Sequence, residues 1–120
     1  MLHKRCIVAL VTLVALLPAF AAAQKQPVTS QNLSGAITTG GTFQSLAGAN
    51  PSRNGCLIQN PTTASEALYV NVGSASPATA NSFSLAAGAA FSCNASGIVV
   101  TDAIQIEAAT TSHAFVAVIQ

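Results

Sequence analysis

The sequence has no tryptophan and a single tyrosine, and charged side chains make up only 6% of its 120 residues. A typical soluble domain carries about a quarter charged residues, so here the solubilising surface falls to Ser, Thr, Asn and Gln. With four Lys and Arg in the whole chain, there is no cluster of cations to neutralise phosphates, which argues against a nucleic-acid partner. No polybasic stretch draws the chain to an anionic membrane either. Low charge and plentiful Val and Ile are the reverse of a disordered composition. The chain is expected to fold.

Catalytic and metal-binding patterns are missing as well. There is no Cys-x-x-Cys or His-x-x-x-His spacing, so no metal is expected. Gly40-Gly41 opens no Walker or dinucleotide fingerprint, so no cofactor is expected. No Gly-x-Ser-x-Gly elbow presents a nucleophile. Asn32-Leu33-Ser34 and Asn94-Ala95-Ser96 match the glycosylation sequon. In an Asn- and Ser-rich chain, chance explains both matches.

What is present begins with an address. His3-Lys4-Arg5 leads into an apolar run over residues 6–17, then Pro18 and the small-residue stretch Ala19-Phe20-Ala21-Ala22-Ala23. A basic tip, a short apolar run and an Ala-x-Ala site are the order of a secretory signal peptide. Cleavage is expected before Gln24, with a site two residues earlier as the alternative. The run falls short of the roughly 20 residues that a membrane span needs. The expected organisation is a signal peptide over 1–23, a flexible lead-in over 24–32 and a folded domain over 33–120. The product is exported, to the periplasm, the cell surface or the medium, with no membrane span in the mature chain.

Processing changes the balance of charge and of cysteine. The mature chain keeps Lys25 and Arg53 against Glu66, Asp102 and Glu107, two cations against three carboxylates, for a net charge of −1. So little charge gives little repulsion between copies and favours self-association. Cys6 leaves with the signal, so Cys56 and Cys93 remain. An even pair in an oxidising compartment points to one disulfide, with two buried thiols as the alternative. Closing that loop contributes about 3–4 kcal/mol in the chain-entropy model.

The mature chain is patterned for strands. In Cys56–Gln59, Cys56 and Ile58 share one face; in Leu68–Val72, Leu68, Val70 and Val72 share one face while Tyr69 and Asn71 share the other. Asn54-Gly55 and Asn60-Pro61 bound the first run with turn chemistry, and the two runs are expected to be adjacent strands. Gly40-Gly41 suggests a two-residue hairpin within 33–46. Phe83 and Leu85 pattern together, and the chain is expected to run back with Phe91 and Cys93 inward. Short strands are expected at 98–101 and at 104–107. The apolar Ala114–Ile119 closes the domain as a central or covered strand. Roughly eight or nine short strands with frequent turns, and no sustained helical period, predict an all-β, single-domain antiparallel sandwich of jelly-roll-like form.

Candidate chemistry is sparse. A Ser-His-Asp set can be composed on paper from His113, Asp102 and one of several serines. A glycosidase pair would have to be Glu66 with Glu107 or Asp102. The bland reading places His113 at a strand entrance and the carboxylates on solvent faces or turns. Tyr69 with Asn71 is a possible glycan-binding face, since it pairs a ring with a polar neighbour.

Five stretches carry a family resemblance: residues 35–42, 53–61, 68–73, 85–88 and 104–111. They read Gly-Ala-Ile-Thr-Thr-Gly-Gly-Thr, Arg-Asn-Gly-Cys-Leu-Ile-Gln-Asn-Pro, Leu-Tyr-Val-Asn-Val-Gly, Leu-Ala-Ala-Gly and Ile-Gln-Ile-Glu-Ala-Ala-Thr-Thr. With these, residues 33–118 resemble small β-sandwich modules among tailed-bacteriophage virion accessory proteins of the decoration or fibre type. The resemblance implies a non-catalytic module that packs onto a protein surface, and it transfers no functional residue. The signal peptide and the cysteine pair depart from that family. The expected function is therefore an exported, non-enzymatic module that binds a protein surface or itself. A glycan-binding adhesin is the first alternative and a small hydrolase centred on His113 the second.

Overall fold

A computed structural model of the chain describes residues 29–97 and 99–120. The expected signal peptide and the first part of the lead-in lie outside them. The strands are β1 (Gln31–Asn32), β2 (Gly35–Ala36), β3 (Gln44–Ala47), β4 (Cys56–Gln59), β5 (Leu68–Val72), β6 (Phe83–Leu85), β7 (Ala90–Ser92), β8 (Ile104–Ala108) and β9 (Ala114–Ile119). They form two antiparallel sheets. One has the order β1-β9-β4-β7, with β2 also against β9, and the other has the order β3-β8-β5-β6.

Counting β1 and β2 as one interrupted strand, this is the strand order of a jelly roll, in agreement with the sequence pattern. The pairs β2–β9, β3–β8, β4–β7 and β5–β6 nest as in one long hairpin. The pairs β4–β9 and β5–β8 then close the curled hairpin into two facing sheets. Side-chain alternation explains the packing. Along β8, Ile104, Ile106 and Ala108 are fully buried, and they face Ile58, Phe115 and Ala117 of the opposite sheet with Leu68 and Val70 beside them. Each such Ile or Leu contributes about 1.5–3 kcal/mol by burial.

The pairing of neighbours differs from the sequence expectation. β4 and β5 are not adjacent strands but lie in opposite sheets, and so do β6 and β7. In a curled hairpin a strand's partner is the one equally far from the tip, and local alternation is the same for either pairing. Gly40-Gly41 makes no two-residue hairpin, because β2 and β3 also belong to different sheets. These glycines serve close approach instead. A Cβ on Gly40 would run into the Ala109 carbonyl oxygen, while Gly41 has φ 68° and donates its N–H to Ala108 O at 2.9 Å.

Three boundaries move. Gln31 and Asn32 pair with Ile119 and Val118, so the sheet starts inside the segment expected to be a flexible lead-in. Residues 99–101 form no strand. They are held by single bonds, Val100 N to Cys93 O and Asn50 N to Thr101 O; Ile98 lies outside the described residues. β9 is bonded on both sides, as its composition suggested, yet Val116 is 40% exposed. Its outer face is uncovered.

Candidate functional site

The sandwich carries four features built from polar or exposed groups, and they differ in what they leave available. The first is a corner where the turn after β4, the entry to β5 and the β8–β9 turn meet. Asn60 is fully buried, and its Nδ2 donates to Glu66 O and Leu85 O at 2.9 Å each. Those two bonds fix the amide, so Oδ1 is the atom facing His113 Nε2 at 2.9 Å. On its other side, His113 Nδ1 lies 3.1 Å from Glu66 Oε1. The same carboxylate oxygen accepts from Thr110 N at 3.1 Å and Thr110 Oγ1 at 2.5 Å. The Thr110 hydroxyl above all holds the Glu66 carboxyl below its ordinary value, against the opposing effect of burial, with Thr110 N–H and His113 adding to it. Ser112, at φ 67°, is the one described non-glycine residue in the left-handed region, and it turns the chain into His113.

This corner settles where the sequence-derived catalytic candidates lie. A serine–histidine relay needs one ring nitrogen facing the serine. Both nitrogens of His113 face acceptors within the corner. Asp102 is not beside His113 but lies against Gly73. Glu66 belongs to the corner, while Glu107 stands on β8 and is buried to 7% exposure rather than set on a solvent face. Among the described residues, no group of three or more His, Cys, Asp and Glu could hold a metal ion.

The second feature is Arg53, which sequence patterning left as part of a loop. It is 4% exposed, and its guanidinium donates to Gly48 O at 2.6 Å, Asp102 O at 2.7 Å and Val100 O at 3.0 Å. No carboxylate pairs with it among the described residues. Arg53 ties the 48–53 loop to the irregular segment before β8, where no ladder satisfies those carbonyls.

The third is the outer face of the second sheet, which carries Tyr69 and Asn71. Tyr69 is half-buried there, between the inward Leu68 and Val70. Asn71 is 2% exposed, and its Nδ2 is shared by Asn81 O, Asn81 Oδ1 and Ser82 Oγ at 3.0–3.2 Å. Its NH2 therefore holds the turn before β6, while its Oδ1 is buried without a partner among the described residues.

The fourth is the mouth of the sandwich between β6 and β7, the last strands of their sheets. Phe83 pairs with Val70 and Phe91 with Ile58, so both rings point to the inner side. No strand among the described residues lies beyond them. Phe83 stays 56% exposed. Its ring meets Phe91 at a centroid distance of 4.9 Å and an interplanar angle of 40°, a favourable tilted contact. The rings open onto a cleft of about 700 Å³ lined also by Val72, Ala90, Cys93 and Val100. Cys93 and Cys56 form the disulfide expected from the cysteine count, with Cα atoms 4.9 Å apart. It bonds β4 to the end of β7, so it fixes one lip of the mouth. The sequence pattern set Phe83 on the face of Leu85 and turned Phe91 inward; that no described strand closes over them depends on which strands end the sheets. No family model, curated protein or solved structure matches this chain.

Proposed function

We propose that the chain is an exported, non-enzymatic interaction module that associates with further copies of itself through the β6–β7 side. One observation carries this reading: the half-exposed Phe83–Phe91 pair sits in an open apolar mouth between two sheet edges. The whole stretch 67–101, which includes both edges, contains no Asp, Glu, Lys, Arg or His. Edge strands that must stay single are normally guarded by charge or Pro. In a two-fold contact each side chain meets the same set on its partner, so an uncharged surface brings no like charges together. The occupant favoured is therefore a second copy of the chain.

Export is supported by the basic tip, apolar run and Ala-x-Ala site of residues 1–23, and by the Cys56–Cys93 disulfide. No described helix is long and apolar enough to cross a membrane. The absence of enzymatic chemistry is supported by the closed hydrogen bonding around His113. The resemblance to virion accessory modules agrees with a surface-packing role, and the jelly-roll fold by itself favours no function.

The test is the solution mass of the oxidised protein against concentration, for wild type and for Phe83→Glu. We expect a wild-type dimer or larger species and a monomeric variant, because the new carboxylates would face each other across the contact. A wild-type monomer at every concentration would remove the proposal. So would an oligomer that Phe83→Glu leaves intact.

A further inference from the structure

Glu107 is a largely buried acidic residue without a side-chain counterpart among the described residues. It lies on β8 between the inward Ile106 and Ala108, so its side chain belongs to the outer face of the second sheet. Only 7% of the residue is exposed. Among the described residues no side chain donates to it: Arg53 is committed to three backbone carbonyls and His113 to Glu66 and Asn60.

Its flanks are aromatic. Tyr69 on β5 is the direct cross-strand partner of Glu107. On the other side Gln44 pairs with Ile106 and Ser45 with Gln105, and one further step of that register sets Phe43 opposite Glu107. Phe43 is half-buried, and alternation from Gln44, the partner of the inward Ile106, sets it on the outer face. Neighbouring strands lie about 4.8 Å apart, so the two aromatic residues stand roughly 10 Å apart with the carboxylate between them. A cation centred over Glu107 is then within about 6 Å of either ring, the range of cation–π attraction. The side-chain amide donors of this face are occupied by the fold, while Asn71 Oδ1 is buried without a partner among the described residues. The Gln105 amide donates to Ser74 O at 3.1 Å, and the Asn71 amide holds Asn81 and Ser82.

We propose that Phe43, Glu107 and Tyr69 form a recognition site for a weakly hydrated organic cation, a quaternary ammonium or a guanidinium group. Such a cation neutralises the carboxylate and meets both rings without needing full hydration. A neutral sugar finds little else to bond, because the side-chain amide donors of this face are already used. The cation comes either from a small molecule or from an arginine of a protein partner. This site lies on the second sheet's outer face and is independent of self-association at the mouth.

The chain carries its own reporter, since Tyr69 is the only tyrosine and there is no tryptophan. Tyrosine emission of the full oxidised protein is followed during titration with tetramethylammonium chloride, with an arginine-containing peptide and with a panel of neutral sugars. Sodium chloride matches the ionic strength. We expect a saturable response to at least one cation, weakened at least tenfold by Glu107→Gln and several-fold by Phe43→Leu. Tighter response to tetramethylammonium identifies a small molecule, and tighter response to the peptide identifies a protein side chain. A flat titration with both cations overturns the proposal. Saturation by sugars alone does the same, as does a cation response that survives in Glu107→Gln or, should that variant not fold, in Phe43→Leu.

Discussion

The polar corner around Asn60 and the apolar mouth at Phe83 are opposite solutions to the same problem. At both places the chain passes from one sheet to the other, and the ladders that satisfy the backbone stop. In the corner every exposed end is tied. Asn60 takes two orphan carbonyls, His113 takes the Asn60 oxygen, and Glu66 joins His113 to Thr110. At the mouth the sheets end in Phe83 and Phe91, whose rings meet at the edge of the core, with Phe83 more than half in solvent. A covalent bond, Cys56–Cys93, holds the mouth where hydrogen bonds hold the corner. The difference teaches where this domain has finished folding and where it has surface left to offer.

The contrast can be broken from the covalent side first. Cys56→Ala with Cys93→Ala opens a crosslink between positions 37 residues apart, and a loss of about 4 kcal/mol is expected from chain entropy. Urea denaturation of the oxidised protein and the double variant measures it. In the corner, Asn60→Ala leaves the Glu66 and Leu85 carbonyls and His113 without their partner, for an expected loss of about 3 kcal/mol. Phe83→Ala at the mouth is expected to cost less than about 1 kcal/mol, because more than half of the ring is already in solvent. If Phe83→Ala destabilises as much as Asn60→Ala, the mouth is core and not an interaction surface.

The smallest expected effect is the acid limb of stability. The Glu66 carboxyl is held below its ordinary value of 4.5, chiefly by the Thr110 hydroxyl. Its contribution is therefore complete above the carboxylate range of the unfolded chain and is lost as pH falls through the lower folded value. Urea midpoints measured from neutral pH into the acid range should fall less steeply in Glu66→Gln than in wild type. Parallel curves would show that the corner is not linked to Glu66 ionisation.

Much of this was legible along the chain. Alternation in Leu68–Val72 and Ile104–Ala108 fixed which side chains enter the core, because a strand's period of two is a property of the backbone. Cys56 and Cys93 announced their bond by their shared inward phase. The candidate sites were less legible. Asn60 looked like the end of a strand beside Pro61, and no local pattern shows that its amide spans to Leu85 and His113, residues 25 and 53 positions away. Glu107 looked like a solvent residue because it alternates with Ile106. Its burial comes from cross-strand neighbours on β5 and the β3 side.

The sequence by itself determined the class of this protein: an all-β domain with inward apolar phases, few charges and one disulfide. Those properties follow from local backbone geometry, composition and cysteine phase, each of which acts without knowledge of distant contacts. Only the tertiary structure decided that β4 and β5 face each other instead of pairing, that Arg53 and Asn60 serve buried carbonyls, and that Phe83 stands open at a sheet edge. Strand pairing is set by closing one curled hairpin, so its consequences depend on which residues lie equally far from the tip. No short stretch of the chain contains that information.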